Sequence, residues 1–587
     1  MPVNDRVSDI VTNWNHYKMR RTLYLPSMLI LAAVLSGCDP HGESANQASD
    51  ITGASAIAAP DMIIHGGPIY TGLENPYTVD AVTIANGVIV ATGDDTLMSN
   101  AGPDTEIIDL GGSAMYPGFV DSHAHFLAVG QREMILNLEG VGSIAELVSI
   151  IAANAQRNDE SGIIYGRGWI ETGWPEARMP TRDDLDAVSA STPVILTRAD
   201  GHAMVVNSAA LKAAGIDATT PDPDGGRIER DSDGRATGIL VDRAQDFADA
   251  LIAAPNEDQK REAYRLGSQV YAGYGWTGMH SMSVDPNNVP LIESLSDSGD
   301  VGIRIYNSVE QTGLESMAGN GGRQSENGRI ITRAVKLYVD GALGSRGALL
   351  SEPYADQPET SGLLLIQKDD AIAIFERALD AGVQINTHAI GDEGNRRLLN
   401  WYEETFANHG DIDNVRWRIE HSQILHTDDI PRFAQLGVIA SMQPSHAIGD
   451  LFFAPDRLGP NRLDGAYAWR SLIDAGAIIA AGSDAPVERG DPLIEFYAAV
   501  ARRGLDGTQT ADWRPSEAVT RDEALRMFTA WPAYASFQDE TLGAIEPGKR
   551  ADFTVFSKDI MSIPEADILS AKPVLTIVDG DIIFRAR

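Results

Sequence analysis

The chain is poor in cysteine and in positive charge, and two common hydrolase signatures are missing from it. One cysteine, Cys38, stands among 587 residues, which excludes an intrachain disulfide and a thiolate-rich metal site. Only 46 Lys and Arg oppose 83 Asp and Glu, a net charge of −37. Nucleic acid is therefore excluded as a partner, because phosphate contacts need clustered cations. The sequence has no HExxH motif, no GxSxG motif and no internal repeat. What remains is ordinary for a large folded enzyme, with 43% hydrophobic and 22% charged residues. The length fits one large barrel with a satellite domain, and the chemistry must come from His, Asp, Glu, Lys or Ser.

The N-terminus is set apart before the fold is read. Lys18, Arg20 and Arg21 precede the apolar run Leu29 to Leu35, which meets Ser36-Gly37-Cys38. The run is too short for a spanning helix of ~20 residues and right for a signal-peptide core. Leu-Ser-Gly-Cys resembles a bacterial lipobox, in which the cysteine becomes lipidated and the first mature residue. Residues 1–37 are expected to be a lipoprotein signal peptide with an upstream extension, Met19 being the functional start. Residues 38–59 read as a tether. The expected location is the bacterial cell envelope, on the periplasmic side, with Cys38 anchored in the membrane. Asp39 resembles the signal that keeps lipoproteins in the inner membrane.

Short strands with Gly and Asn turns dominate both ends, from Met62-Ile63-Ile64 through Val90 and again from Phe553 to Phe584. Between them, Ala-rich helical stretches such as Asp370–Leu379 and Arg521–Ala530 alternate with apolar runs. The pattern predicts an α/β protein, a (β/α)8 TIM-like barrel with a small β-sandwich domain built from both chain ends. The expected bounds are 60–116 plus 540–587 for the sandwich and 117–539 for the barrel, with an insert at about 140–260 covering its mouth.

The central motif is Tyr116-Pro117-Gly118-Phe119-Val120-Asp121-Ser122-His123-Ala124-His125. In a strand, residues i and i+2 share a face, so both imidazoles point one way and suit joint coordination of a metal ion. Four further apolar runs carry a ligand-type residue in or after them. Lys336 lies inside Ala334–Val339, where an unpaired ammonium is costly. His388 and His421 end their runs, and Asp484 ends Ala477–Ser483. Barrel sites sit at the C-terminal ends of strands.

The order His-x-His, Lys, His, His, Asp resembles that of the amidohydrolase superfamily. Gly166-Arg167-Gly168-Trp169, Ala199-Asp200-Gly201-His202, Asp340-Gly341-Ala342-Leu343-Gly344-Ser345-Arg346 and Leu542 through Asp552 are similar to its amidohydrolase 3 subgroup, which includes N-substituted formamide deformylases. The resemblance runs from about residue 60 to the C-terminus. It implies a metal set of His123, His125, Lys336, His388, His421 and Asp484, with Lys336 carboxylated by carbon dioxide into a bridging ligand.

Two divalent ions ~3.5–4 Å apart would supply a bridging hydroxide and a Lewis acid together, and zinc is the expected metal. His123 and His125 would hold one ion, His388 and His421 the other. Asp484 would take the proton of the attacking water and pass it to the leaving nitrogen. His202 is a candidate donor to the carbonyl oxygen. Trp169, Arg346 and His446 are candidates for substrate contact, against core packing for Trp169 and a local ion pair for Arg346. His280 points to the barrel mouth but is left out of the metal set. The function expected is hydrolysis of a non-peptide C–N bond, of amide or formamide type, in a small molecule. Other readings are a cyclic amidase, deaminase or esterase of the same superfamily, or a lipoprotein that only binds ligands. A homo-oligomer is compatible with the sequence.

Overall fold

The computed structural model describes residues 59–587 except 76, 156–161, 172, 173, 200, 202, 224, 225, 318, 320, 411 and 413. The signal peptide, Cys38, nearly all of the tether and His202 lie outside the described residues. Among the described residues no helix is long and apolar enough to cross a membrane.

Eight parallel strands form the central sheet: β1 (Phe119–Ala124), β2 (Trp276–Val284), β3 (Arg304–Glu310), β4 (Ile330–Tyr338), β5 (Gln384–Ala389), β6 (Arg418–His421), β7 (Ile439–Met442) and β8 (Ile479–Ala481). They follow one another in chain order, and each pairs with the next in parallel. Helices cover their outer faces, so β6, β7 and β8 are buried along their whole length. Between β8 and β1 the circle is completed by Asp484 N donating to His123 O (2.6 Å) and His125 N to Ala485 O (2.8 Å). The sheet is thus a nearly closed TIM-like barrel.

Local chemistry sets the helix boundaries. The helix Glu257–Tyr274 before β2 starts in a capping box, Asn256 accepting from Gln259 N and Gln259 accepting from Asn256 N. It stops at Gly275, whose φ of +103° an L side chain rarely adopts. The predicted helices appear as Lys368–Ala381 and as Arg521–Phe528 followed by Ala530–Ala535.

Both chain ends enter one mixed sheet in the order Asp581–Arg585, Pro573–Val578, Phe553–Phe556, Ala114–Pro117, Met62–Tyr70, Thr78–Ala85, Val88–Gly93, with Glu106–Asp109 beside Met62–Tyr70. Where a sandwich was expected, the strands form one continuous hydrogen-bonded sheet with one apolar cluster, including Ile64, Met115, Phe553 and Ile577. Thr554 ties this sheet to the base of the barrel, its Oγ1 accepting from Phe119 N (2.9 Å) and donating to Gly275 O (2.7 Å). Buried Arg304 adds ion pairs to Asp552 (2.6 Å) and Asp579 (2.5 Å).

The segment between the helix Phe126–Met134 and the helix Glu257–Tyr274 carries a six-stranded sheet of its own: Gly226–Arg230, Ala236–Asp242, Ala203–Val206, Val194–Arg198, Ile164–Trp169 and Leu136–Asn137. It has its own apolar clusters around Leu147 and Leu240. Glu139, at its start, lies 3.7 Å from Arg489 on the loop after β8.

Candidate metal centre

Every strand that carries a predicted ligand delivers it to the same barrel end. His123 lies one residue before the end of β1 and His125 directly follows the strand, Lys336 lies near the end of β4, His388 in β5, His421 ends β6, and Asp484 follows β8. Two trios share Asp484: His123, His125 and Asp484, and His421, His446 and Asp484. Within each trio, ligand atoms lie within 4.8 Å of one another. His446, read from sequence as a substrate contact, thus stands in the second trio. His388 flanks His421 on another side, with ring centroids 4.5 Å apart.

His123, His421, His388 and His446 each have one nitrogen engaged outside the centre, which fixes ring orientation and tautomer. His123 Nδ1 is 2.5 Å from Glu420 Oε2, and its Nε2 is 3.5 Å from Asp484 Oδ1. His421 Nδ1 is 2.8 Å from Gln443 Oε1. His388 Nε2 is 3.4 Å from Gly341 O. His446 Nδ1 faces Gln423 Nε2 at 3.1 Å, so its Nε2 carries the proton and lies 3.8 Å from Asp484 Oδ2. His125 Nε2 stands 3.1 Å from Asp484 Oδ1, on a side chain that is 30% exposed. It is the water-facing member.

The backbone is strained where it presents these groups. His421 and Asp484 have φ of +74° and +59°, a region that non-glycine residues occupy only when their surroundings hold them there. Asp121 supplies part of that hold beneath β8, accepting from Ser483 N (2.9 Å), Ser483 Oγ (2.5 Å), Tyr271 Oη (2.9 Å) and His123 N (3.1 Å). Asp340 does the same for the loops after β4 and β5, accepting from Leu349 N, Ile390 N and Gly391 N at 2.8–2.9 Å.

Burial, reinforced by the Lys336 charge, lowers the His123 pKa to about 4 and that of His388 to about 3. Burial also lowers His421 and His446. All four are neutral at pH 7, the form that ligates metal. Burial acts against the charge on Asp484, but His123 and His125 hold its carboxyl well below the usual range. Glu420 is likewise held down by Arg418 and His123 against its burial. Lys336 is 3% exposed, its Nζ has no hydrogen-bond partner, and burial lowers its pKa to about 8. Neutral imidazoles of His123, His388 and His421 with one free nitrogen each, the Asp484 carboxylate and the orphaned amine of Lys336 fit a divalent metal centre of nitrogen and oxygen ligands, with the Nε2–H of His446 beside it as a donor.

Two predicted substrate contacts lie elsewhere. Trp169 is fully buried in the core of the insert, its Nε1 donating to Leu196 O (2.9 Å) and its ring near Trp174, so it is not a pocket wall. Arg346 pairs with Asp356 at 2.8 Å, and Asp356 also holds Arg457, which makes Arg346 a loop staple rather than a free acid-binding group. His280 is buried below the centre, its Nδ1 2.8 Å from Arg418 Nη1. The residues missed from sequence are the supporting ones: Glu420, Gln443, Gln423, Asp121 and Asp340. Arg416, Arg418 and Glu420 alternate along one apolar run, and that charge pattern was the available signal.

Comparison with known proteins agrees with this arrangement. The amidohydrolase family model matches residues 106–584. YtcJ of Bacillus subtilis is 34% identical over 532 residues, covering 89% of this chain and 99% of its own. N-substituted formamide deformylase of Arthrobacter pascens is 29% identical over 542 residues, 89% of this chain and 97% of its own. A crystal structure of an uncharacterized metal-dependent hydrolase from Pyrococcus horikoshii superposes with a TM-score of 0.70 at 28% identity, covering 86% of this chain and 99% of that one. A family match across most of the barrel and the end sheet, and relatives aligned along nearly their whole length, place the chain in the amidohydrolase family.

Proposed function

We propose that this metal-dependent amidohydrolase cleaves a non-peptide C–N bond of amide or formamide type in a small molecule. The observation that carries the reading is the convergence of His123, His125, Lys336, His388, His421 and Asp484 on one barrel end. The printed name of the Arthrobacter pascens relative supports a formamide-type bond. The nitrogen-rich ligand set favours zinc, as two ions. When bound, the metal lowers the pKa of water and polarises the scissile carbonyl.

The chain's own residues do the rest. His123 and His125 would hold one ion, and His388 and His421 the other, with Glu420 and Gln443 fixing two of the rings. A pKa of about 8 leaves part of Lys336 as free amine near neutral pH. That amine attacks carbon dioxide, forming an N–C bond and releasing one proton, so that a cation becomes a carbamate able to bridge. Asp484 accepts a proton from the attacking water and passes it to the leaving nitrogen. His446, with its proton on Nε2, and His202 are the donors proposed for the carbonyl oxygen. Lipid anchoring at Cys38, on the periplasmic side of the inner membrane, is proposed from the lipobox and Asp39 alone.

Metal analysis followed by a screen of N-formyl and N-acyl amines tests the reading. The expected result is about two divalent ions per chain, with amine release that stops on chelation and returns with zinc. Fully metal-loaded protein that releases amine from none of these substrates would refute it.

A further inference from the structure

Lys336 Nζ and Glu420 Oε1 are both buried in the barrel, and neither has a hydrogen-bond partner. Burial lowers the Lys336 pKa, and of the acids opposing that shift Glu420 acts most strongly, ahead of Asp484. An ammonium and a carboxylate enclosed together ordinarily close on each other, because each is costly to bury alone. Here they stay apart, and the reason lies in what holds Glu420.

Arg418 stands two residues before Glu420 on β6 and so on the same face of the strand. It is fully buried. Its Nε is 2.8 Å from Glu420 Oε1, an ion pair without hydrogen-bond alignment, and its Nη2 donates to Glu420 Oε2 at 3.2 Å. Three other strands fix the same guanidinium. Nη2 donates to Ser122 O on β1 (2.5 Å) and to Ser441 Oγ on β7 (2.7 Å), and Nη1 donates to His280 Nδ1 on β2 (2.8 Å). Burial lowers the His280 pKa well below its usual value, so this ring is neutral and can accept. A planar fork of five N–H groups can serve acceptors on four strands at once, which the compact ammonium of a lysine cannot.

Glu420 Oε2 in turn lies 2.5 Å from His123 Nδ1. The carboxylate is therefore held between an immobile cation and the ring of a metal ligand. Its one oxygen without a hydrogen bond, Oε1, is the one that faces the Arg418 Nε.

We propose that Arg418 is a positioning residue whose guanidinium keeps the Glu420 carboxylate on His123 and so prevents an ion pair between Glu420 and Lys336. This rests on the hydrolase reading above, in which Lys336 becomes the bridging ligand. That conversion needs the Lys336 nitrogen to add to carbon dioxide with loss of one proton, and an ammonium clasped by a carboxylate has no lone pair to offer. Losing Arg418 harms the centre twice: it frees the His123 ring and gives Lys336 a competing partner. Both effects run through Glu420.

The test compares the full-length wild type with Arg418→Met, Glu420→Gln and the double variant. It measures zinc affinity by indicator titration, ¹³C-bicarbonate incorporation at Lys336, and the crystal structures of the metal-free proteins. Arg418→Met should lose ~10–100-fold in zinc affinity and most of the ¹³C signal, with Glu420 against Lys336 in its crystal structure. Adding Glu420→Gln removes the competing charge and should bring the ¹³C signal back to that of Glu420→Gln alone, a non-additivity expected of groups that act through one another. If Arg418→Met does not fold, Arg418→Lys keeps a buried cation without the fork and should show a smaller loss, reversed in the same way. A double variant as impaired as the single Arg418 variant, or a Glu420 that stays on His123 without Arg418, would overturn the proposal and leave Arg418 a structural clamp. A wild type without ¹³C signal would overturn the bridging reading alone, and the crystal contact between Glu420 and Lys336 would then decide the part played by Arg418.

Discussion

Replacing Lys336 with methionine should make the metal-free protein more stable while ending its chemistry. Burial of a partnerless ammonium lowers the Lys336 pKa from 10.5 to about 8, with Glu420 and Asp484 opposing the shift and Arg418 adding to it. The gap of 10.5 − 8 = 2.5 units corresponds to about 3 kcal/mol at roughly 1.4 kcal/mol per unit. Below pH 8 the folded and unfolded chains both carry the proton, and the folded chain bears the full cost. Between pH 8 and 10.5 the folded chain sheds its proton first, the unfolded chain binds more protons, and stability rises with pH. Above 10.5 the cost is gone. Methionine is similar in length and uncharged. Lys336→Met should therefore gain about 3 kcal/mol below pH 8, fading towards zero above 10.5. Residues 59–587 number 587 − 58 = 529, and an unfolding entropy of about 2.1 cal/mol/K per residue converts the gain to about 3 °C in Tm. The assay is calorimetry of metal-stripped protein in carbonate-free buffer at pH 6.5, 7.5 and 10.5. A variant that melts at or below the wild type at pH 6.5, or a gain that does not shrink by pH 10.5, would show that Lys336 has a partner or is not buried as an amine.

Asp484→Asn should keep near-normal metal and lose ~10²–10⁴-fold in kcat, more on amides than on activated esters; equal losses on both would leave Asp484 an electrostatic part only. Glu420→Gln should weaken metal binding ~10–100-fold by releasing the His123 ring, read by titration with a metal indicator, and unchanged affinity would detach Glu420 from the centre. Incorporation of ¹³C-bicarbonate into Lys336, followed by carbon NMR, should rise as pH passes about 8, because only the free amine reacts; a pH-independent signal, or none, would remove the carbamate. Cys38→Ser should release the protein from membranes, and identical fractionation of variant and wild type would dismiss the lipobox.

The legible parts of the sequence were those in which one short run encodes both geometry and chemistry. Strand parity alone aims His123 and His125 the same way, and apolar runs that end in His421 or Asp484 announce strand ends in a barrel. The illegible parts depend on what packs against what. Trp169 reads the same on a pocket wall as in the insert's core, and only the Leu196 carbonyl distinguishes the two. His446 reads as a substrate contact rather than a neighbour of Asp484, because its distance to Asp484 is set by how the segment after β7 folds back and not by spacing in the chain. Arg346 has its carboxylate ten residues on, at Asp356, a local pairing that a closer reading of the loop could have found. The insert's sheet is hard to read because Val194–Arg198, but for its last residue, and Ala203–Val206 are buried on both faces and so show no alternation of apolar and polar residues.

Ala114–Pro117 finds its antiparallel neighbour only in Phe553–Phe556, and Pro117 and Phe553 are 553 − 117 = 436 positions apart. A ribosome adding ~5–20 residues per second needs about 20–90 s to cover that distance. Throughout that interval the nascent chain carries an unpaired strand edge and a barrel whose floor is missing, a ready template for wrong pairing. The end sheet, and with it the floor of the barrel, is complete only once Phe553–Phe556 has been made. A stop codon or a proteolytic cut just before Phe553 spares every side chain of the metal cluster, yet it removes the strand that Thr554 pins beneath β1, so damage at this remote end should behave as a null allele.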